Sequence, residues 1–414
     1  MSLSRRHVVA FTIPGEGHVN RMLPVVAGLC DMGIPVDFFA HEMSRRRIER
    51  TGARFLNLYA DRDMDMPDGT SQPVPMRNVS FAGHWGDDVA REVAALRPGL
   101  ILHDTFAVIG RVVAFHLKLP RVNMRAGHNL EPNRALAALE GSGTVRVSDA
   151  CLKSVQALRE RHGVPDASPF SYFIDTAADL NIYSEPPEFL DPDDRTPFEP
   201  LEFFGSYWPG GGGSPPASAD PFGPDAASCP RVYVGLGTAA WMMCPGEAMA
   251  LVEVLADTMA SYPNLRGLIS LGSGHIAMSD LERLRRWPNV RIEPYVDQIE
   301  VLRYASVFIT HNGLNSTHEA IFHGVPMISC PLFGDQPVLA ARCEELGLAV
   351  PLRPASGELP TAAEVRRALD RVQSDGPALR ARLAQAREWE IGVMKRRPAV
   401  LQRIAALMEM KSKQ

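Results

Sequence analysis

Ala305-Ser306-Val307-Phe308-Ile309-Thr310-His311-Asn312-Gly313-Leu314-Asn315-Ser316-Thr317-His318-Glu319-Ala320 decides the fold class. Residues 306–310 read as a buried strand that ends in a glycine-containing turn. A helix starts at once, with Asn315, Ser316 and Thr317 in its first turn. Strand, glycine turn and helix in direct succession form the repeating unit of a parallel α/β sheet. Free amides and the dipole at such a helix start attract phosphate, and Asn315 and Ser316 add side-chain donors. Glu319 lies one turn along the same face, placed to accept hydrogen bonds from ribose hydroxyls. An ordinary N-cap cluster accounts for the same residue types, and the segment alone leaves both readings open.

The same unit repeats in both directions. Upstream, strands at 7–13, 34–40, 55–59, 100–104 and 121–124 alternate with helices at 19–31, 44–50, 87–96 and 107–117, and 126–176 is mainly helical in pattern. From 231 the alternation restarts, with strands 231–236, 266–271, 290–295, 306–310 and 325–331. Helices are expected near 246–261, 279–287, 298–304, 315–323 and 338–346, and 360–414 is helical. Between the two series, 205–230 is dominated by Gly, Pro and Ser and reads as a linker. The expected organisation is an N-terminal domain over 1–206, a linker over 207–230, a second domain over 231–385 and a closing helix over 386–414 that packs back on the first domain. The fold class is α/β, with two Rossmann-like doubly wound parallel sheets facing across a cleft, where ligands bind outside the carboxyl ends of the strands.

Bulk properties agree with a globular chain. The 414 residues exceed a usual single core and suggest two domains. Lys+Arg 43 against Asp+Glu 48 leaves a net charge of -5 with no basic block, which speaks against nucleic acid. Apolar runs such as 325–333 are far too short for stable membrane insertion, and no targeting segment is read at the start. The six cysteines show no Cys-x-x-Cys spacing, so reduced core thiols and a cytoplasmic location are expected.

A second glycine turn, Gly235-Leu236-Gly237-Thr238, also lies between a strand and a helix and offers amides to a diphosphate. It lacks the third glycine and distal acid of a nicotinamide fingerprint. His318 and His323 are five residues apart, whereas a helical zinc pair needs four, and no carboxylate cluster suggests magnesium. No metal and no cofactor are therefore expected.

Tyr295-Val296-Asp297-Gln298, Val301-Leu302, Thr310-His311-Asn312-Gly313, Asn315-Ser316, Glu319-Ala320, Gly324-Val325-Pro326, Pro331 and Asp335-Gln336-Pro337 together resemble the donor signature of the family 1 glycosyltransferases of GT-B fold. The spacing is similar to that of bacterial macrolide and natural-product enzymes. The resemblance implies that Tyr295, in place of a tryptophan, stacks on the base, and that Val296 and Gln298 lie near base and ribose. It implies that Gly237, Thr238, His311, Gly313, Asn315 and Ser316 surround the diphosphate, that Glu319 holds the ribose, and that Asp335 and Gln336 bond sugar hydroxyls. A buried carboxylate facing a deoxysugar would lack a partner, so glucose from UDP-glucose is the expected donor sugar. Tyr295 and Asp297, where proline is common, leave uridine against thymidine open.

Gly15-Glu16-Gly17-His18-Val19-Asn20 follows the first strand. A lone loop histidine usually caps or meets solvent, but the family keeps its catalytic base at this place. Asp104 ends another strand of the same sheet and so reaches the same rim. Such a pair suits the chemistry: an acceptor hydroxyl is a poor nucleophile, one imidazole nitrogen takes its proton, and the carboxylate fixes the tautomer. Arg21 stands where the family has proline, and His103 points to the other side of its strand. Residues 61–90 and 125–150, including Met64, Met66, Met76, Phe81, Trp85, Met124 and His128, read either as lining for a greasy polyketide or aromatic acceptor or as core beneath loops. The expected activity is inverting, metal-independent hexosyl transfer from a UDP-sugar to a small lipophilic acceptor. Alternatives are a dTDP-deoxysugar transferase of antibiotic biosynthesis, a sugar-nucleotide epimerase of similar fold, and a non-catalytic accessory protein.

Overall fold

Strand β1 (Val8–Phe11) is apolar throughout and fully buried, as a strand covered on both faces must be. It sits in a seven-stranded parallel sheet with β2 (Val36–Ala40), β3 (Arg54–Asn57), β4 (Leu100–Asp104), β5 (Arg121–Met124), β6 (Leu180–Tyr183) and β7 (Leu201–Phe203), ordered β3-β2-β1-β4-β5-β6-β7. The structure is a computed structural model that describes residues 6–125, 127–128, 136, 143, 145–208, 220–223, 226–272, 281–282, 284–352 and 359–410. It divides into two units, one running to Ser206 and resuming at Gly392, the other spanning Tyr207–Ile391.

In the first unit, the strand order reverses beside β1, whose neighbours are β2 and β4. Connections leaving the carboxyl ends of β1 and β4 therefore diverge to opposite faces and open a crevice between them. The second unit repeats the device in a six-stranded parallel sheet of β8 (Arg231–Gly235), β9 (Arg266–Ser270), β10 (Val290–Glu293), β11 (Val307–Thr310), β12 (Met327–Ser329) and β13 (Ala349–Pro351). Its order is β10-β9-β8-β11-β12-β13, so the reversal lies between β8 and β11. The closing helix, Gly376–Met410, contributes its residues from Gly392 to the first unit. There Leu401 packs so closely on Gly28 that a Cβ would lie 2.4 Å from it, and Arg397 donates to the Phe204 and Gly205 carbonyls.

Several elements differ from the sequence reading. The first helix starts at Glu16 rather than Val19, with Gly15 as an extended N-cap. Gly17 is tolerated because first-turn amides have no helical partner to lose. The helix expected from Asp87 starts at Arg77. Gly83 and Gly86 hide it from a propensity reading, but both serve packing: a Cβ would meet Ser154 at 2.6 Å and Val112 at 2.8 Å, respectively. Residues 77–90 are thus helix rather than loop. Met76, Phe81 and Met124 belong to the buried interior, while Met64 and Met66 are exposed. Strands β6, β7 and β13 are too short to show period or length in sequence.

Tyr207 is not linker, since it is buried with its ring stacked on Phe322 at 3.8 Å. Residues 209–219 and 224–225 of the expected linker lie outside the described residues, as do 273–280 and 283 of the expected helix 279–287. The same holds for 126, 129–135, 137–142 and 144 of the second pocket-lining stretch. Among the described residues, no helix is long and apolar enough to cross a membrane, and all six cysteines are free thiols.

Candidate active site

In the first unit, β1 and β4 pair with Phe11 opposite His103, so the residues that follow them emerge side by side. His18, in the first helical turn after β1, and Asp104, the last residue of β4, meet there: His18 Nδ1 lies 2.7 Å from Asp104 Oδ2. Asp104 Oδ1 accepts the Phe106 N–H at 2.7 Å, which fixes the carboxylate plane. The imidazole is one-fifth exposed, whereas the carboxylate is buried. Phe106 packs on the imidazole with centroids 4.7 Å apart, and Gly15 leaves room for the ring edge. Burial pushes the Asp104 acid up, but His18, Arg21 and the Phe106 N–H outweigh it and hold the group below the usual carboxylate range. An ionised Asp104 requires the proton on Nδ1, so Nε2 carries the lone pair.

Arg21, one turn beyond His18, is 7% exposed and makes no hydrogen bond among the described residues, yet its charge acts on Asp104. The sequence flagged it only as a departure from proline. Phe106 carried no signal at all. His103 turns away, as its strand position requires, into a buried network with Arg121 and Asp175. Burial is the chief cause that takes its imidazole down to about 4.

In the second unit, the loops after β8 and β11 leave neighbouring strands, with Gly235 opposite Thr310 in register. His311 Nδ1 donates to the Gly235 carbonyl at 3.2 Å. Its ring fills the space beneath two glycines: a Cβ on Gly237 would lie 2.5 Å from His311 Nε2, and one on Gly313 2.3 Å. Gly237 also has φ of +72°, a second reason for glycine there. Burial drives His311 down to about 4 against the opposing pull of the Gly235 carbonyl and Asp335, so the imidazole is neutral near pH 7. Thr238 follows on the same turn.

The helix Leu314–His323 has Gly313 as its N-cap, and no side chain caps it. The N-cap is itself a glycine, so no side chain at that position competes for the first-turn amides. Gln298 gathers three neighbours: its Nε2 donates to Ser316 Oγ at 3.0 Å and to Glu319 Oε2 at 2.6 Å, while its Oε1 accepts from the Tyr233 hydroxyl at 3.2 Å. Burial pushes the Glu319 acid up to about 7, against the Gln298 bond. Tyr233 is buried within β8, and its part in holding Gln298 was not legible in sequence. Asp297 accepts the Glu300 N–H as a helix cap, which explains a residue other than proline there. Tyr295 is 62% exposed, and Val296 and Asn315 are half-buried.

Gln336 Oε1 accepts the Leu332 and Phe333 amides at 2.9 and 3.1 Å and so shapes its own turn, leaving the amide NH₂ as its remaining donor. Asp335 is the half-buried N-cap residue of that helix. Asn312, which sequence reasoning passed over, is fully buried at φ +56°, and neither side-chain polar atom has a partner among the described residues. His318 pairs with buried Glu390 at 2.5 Å and His323 meets the Tyr207 hydroxyl at 3.4 Å. The two histidines therefore serve separate contacts.

Residues 279–377, which include this second constellation from Gln298 to Gln336, match the family described as UDP-glucoronosyl and UDP-glucosyl transferase. The chain is 27% identical over 349 residues to the "Uncharacterized UDP-glucosyltransferase YdhE" of Bacillus subtilis (strain 168), covering 82% of this chain and 84% of that protein. It is 26% identical over 397 residues to the "NDP-glycosyltransferase YjiC" of Bacillus licheniformis, covering 91% of this chain and 92% of that protein. The solved glycotransferase of kitacinnamycin shares the fold, with a TM-score of 0.75 at 22% identity over 96% of this chain and 98% of that one. With two parallel α/β sheets and this similarity along nearly its full length, the chain is a glycosyltransferase of the GT-B fold, similar to the family 1 enzymes.

Proposed function

We propose that this glycosyltransferase moves a hexose, with inversion and without a metal, from a UDP-sugar to a hydroxyl of a small lipophilic natural product. The observation that carries the reading is the His18–Asp104 hydrogen bond at 2.7 Å. His18 Nε2 accepts the hydroxyl proton as the oxygen attacks the anomeric carbon, and Asp104 stabilises the imidazolium through Nδ1. The C–O bond to the diphosphate breaks as the new glycosidic bond forms on the opposite face, and the nucleoside diphosphate leaves with the bonding pair. General-base assistance of this kind supplies roughly 10²–10⁴-fold.

On the donor side, the uncapped helix start at Leu314 and the Gly237–Thr238 turn offer amides to the diphosphate. His311 acts as a neutral dipole, so charge is balanced chiefly by amides and by the hydroxyl and amide groups of Ser316 and Asn315. Glu319, held by Gln298, takes the ribose hydroxyls, and exposed Tyr295 offers a face to the base. Asp335 and the Gln336 amide take sugar hydroxyls, which favours a fully hydroxylated sugar such as glucose. The similarity to a UDP-glucosyltransferase supports the same donor.

The test is a donor screen by calorimetry with UDP, dTDP and their sugars, followed by transfer to a panel of polyketide and aromatic acceptors. Binding of UDP-glucose and a β-glycoside product, read from the anomeric proton coupling, are expected. A preference for dTDP-deoxysugars would move the protein to the antibiotic deoxysugar class, and an α-glycoside product would refute inversion.

A further inference from the structure

Asp87, His116 and His162 come from three different elements of the first unit: the helix Arg77–Leu96, the helix Val108–Leu117, and the turn after the helix Asp149–Glu160. Their ligand atoms converge. His116 Nε2 lies 2.8 Å from His162 Nδ1, and Asp87 Oδ1 lies 3.6 Å from the first nitrogen and 3.9 Å from the second. Among the described residues this is the one group of three potential ligands gathered so closely. A tetrahedral zinc ion with bonds of about 2.0–2.2 Å places its donors roughly 3.3–3.6 Å apart. The observed spacings bracket that value, so the set needs only a small opening between the imidazoles.

Two further observations point to a prepared site rather than a chance surface meeting. His162 is 1% exposed, with Nδ1 turned to His116 Nε2 at 2.8 Å. The second observation is Gly86: a Cβ there would lie 3.0 Å from His162 Cε1 and 3.2 Å from Nδ1, so the ring reaches its place because the helix carries no side chain at that point. Without metal, one of the two facing ring nitrogens, His116 Nε2 or His162 Nδ1, donates to the other. Moving that proton to the far nitrogen of the same ring frees both facing nitrogens at no net loss of a proton. Arg161 Nη1 stands 3.9 Å from the other oxygen, Asp87 Oδ2, and leaves Oδ1 to the ion.

We propose that Asp87, His116 and His162 form a zinc site, completed by water, that ties together three helical elements of the first unit. His116 lies at the end of a helix whose start follows Asp104, about 12 Å of helix further on at 1.5 Å per residue. The ion is therefore structural, and the inference is independent of the proposed chemistry at His18.

Stripped of metal by a chelator, dialysed and titrated with Zn²⁺, the full chain is expected to take up one equivalent and to gain thermal stability. Asp87→Asn and His116→Gln, both at accessible positions, are expected to weaken binding at least about tenfold while transfer is unchanged. His162→Ala is a third variant, read only if it folds. Co²⁺ in the same site is expected to give a d–d spectrum without thiolate charge transfer. The proposal is overturned by no stoichiometric uptake, by uptake that survives both substitutions, by thiolate bands that assign the metal to cysteine, or by loss of transfer in Asp87→Asn.

Discussion

Asp104 holds His18 from two directions: Oδ2 bonds the imidazole Nδ1 at 2.7 Å, while Oδ1 is locked by the Phe106 amide at 2.7 Å, and Phe106 itself packs on the ring. One residue at the end of β4 thus fixes both tautomer and tilt of a ring that starts the helix after β1. This is possible because the two strands are neighbours at the point where the sheet order reverses.

Asp104→Asn removes the charge that favours imidazolium and allows the wrong tautomer. Turnover is expected to fall by roughly 10²–10⁴-fold, with UDP affinity within about twofold of the parent. Steady-state rates and calorimetry read both. A loss below about fivefold would leave Asp104 without the orienting role.

Gly237→Ala sets a Cβ 2.5 Å from His311 Nε2 on a backbone at φ +72°. The left-handed conformation alone costs about 1–2 kcal/mol, and the ring must shift to relieve the contact. Melting should drop by a few degrees, and UDP should bind at least about tenfold more weakly. Unchanged nucleotide affinity would detach this turn from the donor site.

Glu319 titrates near 7 in the folded chain, above its ordinary value of 4.5, chiefly through burial. Its protonated form therefore favours folding. That contribution is fully present below about pH 4.5 and is lost as the pH rises through 7. Ribose hydroxyls donating to the carboxylate favour the ionised form instead, so UDP affinity should weaken as the pH falls below about 7. Glu319→Gln should flatten both dependences, as read by melting and calorimetry from pH 5 to 8. Persistence of the binding slope in that variant would assign it to another group.

Transfer should proceed in excess EDTA. Among the described residues, the one cluster with three potential metal ligands is Asp87–His116–His162, none of which belongs to either constellation of the proposed site. EDTA is expected to lower thermal stability, through that cluster, without stopping turnover. Strict dependence on Mg²⁺ would contradict the donor-site account.

Much of the site was legible because its residues sit at loop positions dictated by strand ends. Gly237, His311, Gly313 and Glu319 follow apolar strands at fixed short distances, and His18 and Asp104 lie on one rim by the same logic. What could not be read depends on contacts between segments distant in sequence. Nothing local marks Phe106 as the surface under His18, or Tyr233 as the donor to Gln298 across 65 residues. The helix from Arg77 was missed because Gly83 and Gly86 lower local propensity in exchange for close packing that only the folded chain displays. Strands β6 and β7, of four and three residues, are held by their neighbours rather than by their own pattern.

His18→Ala is the most direct test, with transfer rate and UDP affinity measured on the same preparation. The account predicts a fall in turnover of roughly 10²–10⁴-fold with nucleotide binding nearly intact. Retained turnover, or a parallel loss of nucleotide binding and turnover, would contradict the assignment of this imidazole as the base.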